Sequence, residues 1–173
     1  MGTRAKSRRP TPLAQIELLV LDVDGVMTDG RLRYGPDGEI EKSFHVRDGY
    51  GIKAVLTAGI AVAVISGRDS PAVQQRCREL GIRHLYQGIE NKGATLSELL
   101  TMLGLQSRQC ACVGDDMPDV ALFERAGLAI AVADAHPQAL AAAHRRTRLS
   151  GGGGAVREVC DWLIAARRPR RRT

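Results

Sequence analysis

Four short stretches of this 173-residue chain carry side chains suited to moving a phosphoryl group. Asp22-Val23-Asp24-Gly25 sets two carboxylates two residues apart; Ser66 supplies a hydroxyl, Lys92 a cation, and Gly114-Asp115-Asp116-Met117-Pro118-Asp119 three more acids. A phosphate monoester is very slow to hydrolyse unaided, and enzymes accelerate such reactions by up to ~10²¹-fold. A carboxylate nucleophile divides the reaction into two steps through an acyl phosphate. Bringing that anion to an anionic ester requires a divalent cation, and oxygen ligands select Mg2+. On an extended chain Asp22 and Asp24 would point the same way, roughly 6.6 Å apart, and a turn at Gly25 can fold both around one site. The expected division of labour is Asp22 as nucleophile and Asp24 as the acid that protonates the leaving oxygen and later activates water. Asp115 joins Asp22 and Asp24 in the metal site, and Ser66 and Lys92 bind the phosphate oxygens. Asp116 and Asp119 read better as orienting groups than as direct ligands.

A DxDG stretch alone is common in solvated turns, so the elements around these residues decide its meaning. Residues 16–21 form a short, mostly apolar run ending at Asp22, as a buried parallel strand would. Residues 31–34 and 39–44 read as a hairpin around Gly35-Pro36-Asp37-Gly38. Asp48 can cap a helix to about Ala58, and residues 60–65 form a second core strand ending at Ser66. The alternation continues with helices near 70–80, 92–103, 118–126, 136–143 and 155–166, and strands near 84–86, 109–113 and 128–132. This pattern predicts an α/β fold, a Rossmann-like parallel sheet with helices on both faces and a β-hairpin insertion after the first strand. In such sheets ligands bind beyond the carboxyl ends of the strands, where Asp22, Ser66 and Asp115 all stand.

Bulk properties narrow the alternatives. The net charge of +6 comes from the ends: residues 1–10 and 167–173 hold nine Lys and Arg and no acid, so the body between them carries −3. The expected organisation is a basic tail over 1–12, one domain over 13–166, and a second basic tail over 167–173. A nucleic-acid binder would use such tails, yet nothing in the body supports one. No apolar run approaches the length of about 18 residues that spans a bilayer, and the expectation is a cytoplasmic protein with neither membrane nor nucleic acid as partner. Cys77, Cys110, Cys112 and Cys160 lack zinc-site spacing and read as buried free thiols.

Asp22-x-Asp24-Gly25, Ser66, Lys92 and Gly114-Asp115-Asp116-x-x-Asp119, in that order, resemble the four motifs of the haloacid dehalogenase phosphatase superfamily. More narrowly, residues 16–166 resemble its capless branch of 3-deoxy-D-manno-octulosonate 8-phosphate phosphatases. The specific stretches are Val46-Arg47-Asp48-Gly49-Tyr50-Gly51, His84-Leu85-Tyr86-Gln87-Gly88, Val132-Ala133-Asp134-Ala135-His136-Pro137 and residues 154–161. The resemblance implies Mg2+, an aspartyl-phosphate intermediate and an eight-carbon acidic sugar phosphate from lipopolysaccharide precursor synthesis. It also implies a substrate-binding set of Asp24, His45, Val46, Arg47, Asp48, Gly49, Lys53, Arg68, Arg76 and Lys92. Lys53 stands where the family often has Arg, and Lys cannot make the planar fork of Arg. Finally, it implies a homotetramer whose active sites are completed by neighbouring subunits, with a flexible Gly151–Gly154 segment near a neighbour's entrance. The spacing between motifs leaves no room for an inserted cap domain.

Two competing readings remain. A phosphatase for a nine-carbon sialic-acid-type sugar 9-phosphate would have a similar architecture. A phosphorylatable signalling domain also uses acids at strand ends, magnesium and a Lys, but it has no need of Asp24, the group that clears the phosphoaspartate.

Overall fold

The structure, a computed structural model, describes residues 9–167; the rest of the two expected basic tails lies outside the described residues. Eight strands and six α-helices follow in order: β1 (Leu18–Leu21), β2 (Arg33–Gly35), β3 (Gly38–Glu41), α1 (Val46–Thr57), β4 (Ala61–Ile65), α2 (Pro71–Leu80), β5 (His84–Tyr86), α3 (Lys92–Leu103), β6 (Cys110–Gly114), α4 (Met117–Phe123), β7 (Leu128–Ala131), α5 (Pro137–Ala142), β8 (Arg145–Arg146) and α6 (Ala155–Arg167).

Six strands form one sheet in the order β5-β4-β1-β6-β7-β8, and every neighbouring pair is parallel. All residues of β1, β6 and β7 are buried. Successive side chains of a strand point to opposite faces, so both faces of the sheet are covered. The covering helices fall into two groups: α1 packs on α6 and touches α2, while α3 packs on α4 and α4 on α5. With few aromatic side chains in the sequence, Leu, Ile, Val and Ala build the core around the fully buried Phe123.

β1 is flanked by β4 on one side and β6 on the other, so the chain reverses its direction of travel across the sheet there. That reversal opens a crevice at the carboxyl ends of β1, β4 and β6. The hairpin β2–β3 is a separate two-stranded sheet after β1. β8 is too short to be read from the sequence. Its two exposed arginines guard the sheet edge, and Arg145 lies 5.2 Å from the centre of the Trp162 ring.

Several local expectations change. Helix α1 begins at Val46 with His45 as its cap, His45 Nδ1 accepting from the Arg47 N–H at 3.1 Å. Asp48 therefore sits inside the first turn, where it is buried and caps a different helix: its Oδ1 accepts from the Arg157 N–H of α6 at 2.8 Å. Arg167 ends α6 instead of starting a tail, donating to Ile16 O at 2.7 Å and pairing with Glu17 at 2.9 Å. The 151–154 segment, expected to be flexible, is hydrogen-bonded to its own chain. Gly151 N donates to Asp134 Oδ1 and Gly152 N to Val26 O, each at 3.0 Å. All four cysteines are free and buried, and burial pushes the Cys77 thiol up to about 11. No helix among the described residues is long and apolar enough to cross a membrane.

Candidate active site

The ladder of the sheet delivers the first acid. The Asp22 N–H donates to Val113 O on β6 at 3.1 Å, carrying β1 pairing one residue beyond the strand. The chain then turns sharply, with Val26, Met27 and Thr28 all donating to Val23 O. Gly25 sits in that turn at φ +88°, and a Cβ there would overlap the Asp115 carboxylate. Only glycine accepts both the backbone angle and the approach.

Lys92, the first residue of α3, reaches back across the crevice. Its Nζ lies 2.6 Å from Asp22 Oδ1 and 2.7 Å from Asp119 Oδ1, and all three groups are buried. Asp119 Oδ2 accepts from the N–H groups of Asp115 (2.9 Å) and Asp116 (3.3 Å). Asp119 thus ties the end of β6 to Lys92. Gly114 permits this, because a Cβ there would collide with the Asp119 side chain. Asp116 caps α4 in a reciprocal box with Asp119.

Asp22, Asp115 and Asp119 each offer an oxygen within 4.8 Å of the other two. Three carboxylates face one lysine, and the charge imbalance shows in their proton affinities. Burial, reinforced by Asp119 and opposed by Lys92, pushes the Asp22 carboxyl up to about 7. Burial together with Asp22, Asp119 and Asp116 pushes Asp115 up to about 8. For Lys92 burial acts to lower the value, but the Asp22 and Asp119 carboxylates outweigh it and hold the ammonium above its ordinary range. An all-oxygen donor set with surplus negative charge is what a hard divalent cation neutralises.

Asp24 stands apart from that cluster. Its Oδ1 is 2.5 Å from Lys42 Nζ, and its Oδ2 is 3.8 Å from Arg68 Nε. Arg68 also donates to the Tyr34 hydroxyl of the hairpin at 2.7 Å, and its N–H donates to Ser66 Oγ at 3.3 Å. A cleft of about 470 Å³ brings together Asp22, Asp24, Ser66, Arg68, Lys92 and Asp115.

The remaining residues of the sugar-binding set do not line this cleft. His45, Asp48, Gly49 and Arg76 border a narrow crevice with Phe44. Val46 and Arg47 project from the start of α1, Val46 being 78 % exposed. Lys53 borders a larger hollow between α1 and α2 together with Arg78, Arg83 and His84. Lys42 and Tyr34 are contacts the sequence did not point to. Each reads there as an ordinary hairpin residue, and only the fold carries Lys42 back 18 positions to Asp24.

The sequence profile of the haloacid dehalogenase-like hydrolases matches residues 85–157. The 3-deoxy-D-manno-octulosonate 8-phosphate phosphatase KdsC of Escherichia coli K12 is 52% identical over 151 residues, 87% of this chain and 80% of that protein. The crystal structure of the 3-deoxy-D-manno-octulosonate 8-phosphate phosphatase from Yersinia pestis superposes with a TM-score of 0.88 at 49% identity, covering 90% of this chain and 84% of that one. The enzyme of that name from Moraxella catarrhalis, solved with magnesium, phosphate and a KDO molecule, gives a TM-score of 0.87 at 40% identity over 90% of this chain and 89% of its own. With the motif residues gathered at the strand ends and half of all aligned positions identical to KdsC, the chain belongs to the 3-deoxy-D-manno-octulosonate 8-phosphate phosphatase family of haloacid dehalogenase-like hydrolases.

Proposed function

We propose that the chain hydrolyses 3-deoxy-D-manno-octulosonate 8-phosphate to the free sugar acid and phosphate, with Mg2+ bound, through a phosphorylated Asp22. The observation that carries this reading is the buried Asp22–Lys92–Asp119 array beside Asp115, at the carboxyl ends of β1 and β6. Asp22 and Asp115 would hold the ion. Asp24 would be the third residue at the ion. When bound, Mg2+ supplies the positive charge that lets an anionic nucleophile approach an anionic ester.

The chain's own residues divide the rest. Lys92 and Ser66 bind phosphoryl oxygens, and Asp119 holds Lys92 in place. The Asp22 carboxylate forms a bond to phosphorus as the ester P–O bond breaks, and Asp24 gives its proton to the departing sugar oxygen. Asp24 then takes a proton from water as that water attacks phosphorus, releasing phosphate and restoring Asp22. Arg68, which lines the cleft, would meet the sugar acid through its guanidinium. Asp22→Asn should abolish turnover, and near-wild-type activity in that variant, after deamidation is excluded, would sink the mechanism. Phosphate release measured across eight- and nine-carbon acidic sugar phosphates tests the substrate: preference for the nine-carbon ester would overturn it.

The proposal includes a homotetramer acting in the cytoplasm. The segment between Asp22 and Ser66 is consumed by the hairpin, α1 and β4, leaving no cap over the cleft among the described residues. Tyr34, Val46 and Tyr50 are large, exposed side chains on the hairpin and α1, and most of the expected sugar contacts lie outside this chain's own cleft. A neighbouring subunit would supply the missing wall. Light scattering during assay decides it, a fully active and selective monomer being the contrary result.

A further inference from the structure

We propose that Lys42 is a positioning residue for the acid–base group Asp24, setting how efficiently the leaving oxygen is protonated. The inference rests on the acid–base reading of Asp24 given above. Lys42 follows β3 immediately, and its side chain is only 2 % exposed. Burying an ammonium is costly unless it is paired, and Asp24 Oδ1, 2.5 Å from Nζ, is among its partners. The Asp24 side chain is itself 21 % exposed, at the cleft surface.

The two oxygens of Asp24 face different elements. Oδ1 is held by Lys42 from the hairpin, and Oδ2 looks toward Arg68 at the longer distance of 3.8 Å. A carboxylate gripped at one oxygen cannot spin freely about its last torsion. Oδ2 is left as the atom that carries the proton to the ester oxygen and later receives one from water. A short general-acid contact depends on such orientation, and a misplacement of about 1 Å can cost on the order of a hundredfold. The hairpin thereby acts on chemistry as well as on packing. It reaches Asp24 directly through Lys42 and indirectly through Tyr34 and Arg68.

Leaving-group dependence separates positioning from general damage. A sugar phosphate expels an alkoxide and needs the proton, whereas p-nitrophenyl phosphate expels a phenolate that leaves without it. Values of kcat/KM report the step up to phosphoenzyme formation, and they are measured with saturating Mg2+ for wild type, Lys42→Met and Asp24→Asn. The expected result is a loss of at least tenfold on the sugar phosphate for Lys42→Met, with less than threefold on p-nitrophenyl phosphate. Asp24→Asn should show the same asymmetry, larger. Equal losses on both substrates, or none, for Lys42→Met while Asp24→Asn remains asymmetric would overturn the role of Lys42 alone. An Asp24→Asn variant without asymmetry would overturn the acid–base reading and this inference with it. Should Lys42→Met fail to fold, Lys42→Gln, which keeps a polar head at that position, is judged by the same ratio.

Discussion

Asp22 Oδ1 and Lys92 Nζ stand 2.6 Å apart although 70 positions separate them. The contact spans from the end of β1 to the start of α3. Its second arm to Asp119 draws in the end of β6, so one ammonium fastens three elements around the nucleophile. Breaking a buried ion pair by removing one partner is costly because the other charge is left unpaired.

Lys92→Met should therefore lose activity and stability together. In chelator near pH 8 the variant is expected to unfold about 3–5 kcal/mol more easily than wild type. Saturating Mg2+, which supplies positive charge to the same carboxylates, should recover part of that deficit. Denaturant titrations with and without Mg2+ read both quantities. A variant as stable as wild type in chelator would show that Lys92 is not the charge that balances the cluster.

The same imbalance sets a pH dependence. Asp22 and Asp115 rise from 3.8 to about 7 and about 8 in the folded protein. Carboxyls with raised values favour the folded state when protonated. Their contribution is complete below pH 3.8 and is lost as pH rises to about 8, because over that window the folded state binds more protons than the unfolded one. Metal-free protein should accordingly lose stability between about pH 4 and pH 8 relative to Asp22→Asn. The stabilisation by Mg2+ should grow across the same range, as protons cease to compete for its ligands. Melting curves at fixed Mg2+ over that range give the test, and a Mg2+ effect that shrinks with rising pH contradicts it.

Asp48 offers a case in which stability and substrate binding can be told apart. Its Oδ1 caps α6 across 109 positions of sequence, a contact typically worth about 1 kcal/mol. Asp48→Ala is expected to lower stability by about that amount, and KM for the sugar phosphate, measured on the same variant, should rise as well if Asp48 faces a neighbour's cleft. Unchanged stability with a tenfold higher KM would make Asp48 a sugar contact and not a cap, and a stability loss with KM unchanged would make it a cap alone.

The sequence made much of the fold and the chemistry legible because periodicity and strand-end acids are local signals. The runs ending at Asp22 and Ser66 are short and apolar, and their parallel pairing follows from the intervening helices. The tasks of Asp48 and Lys42 were hidden for the opposite reason. A carboxylate in the first turn of a helix reads as that helix's own cap, and nothing local reveals that it reaches α6. A lysine beside Glu41 reads as a solvated strand residue until the hairpin folds it onto Asp24. The Gly151–Gly154 run looked flexible by composition, yet hydrogen bonds to Asp134 and Val26 fix it in place. Arg167, counted with a basic run, is anchored by the main chain of Ile16 and by Glu17.

Gly25→Ala tests whether the turn after Asp22 shapes the metal site or merely reverses the chain. Two penalties meet at this position. Its φ of +88° is unfavourable for any residue with a Cβ, and that Cβ would overlap Asp115 Oδ2. Gly59 separates the two effects, since it has a similar φ of +81° with nothing within 4 Å of a Cβ. Backbone strain alone costs about 1–2 kcal/mol, and both Gly25→Ala and Gly59→Ala should show a loss of that order in chelator. Only Gly25→Ala should move Asp115. Its affinity for Mg2+, measured by calorimetry, is expected to fall at least tenfold, and its activity to recover partly at high Mg2+. Gly59→Ala should bind Mg2+ as wild type does. Equal Mg2+ affinity in the two variants would mean that Asp115 can yield to the new methyl group without leaving the ion, and the close approach of Gly25 would then be a requirement of the turn alone.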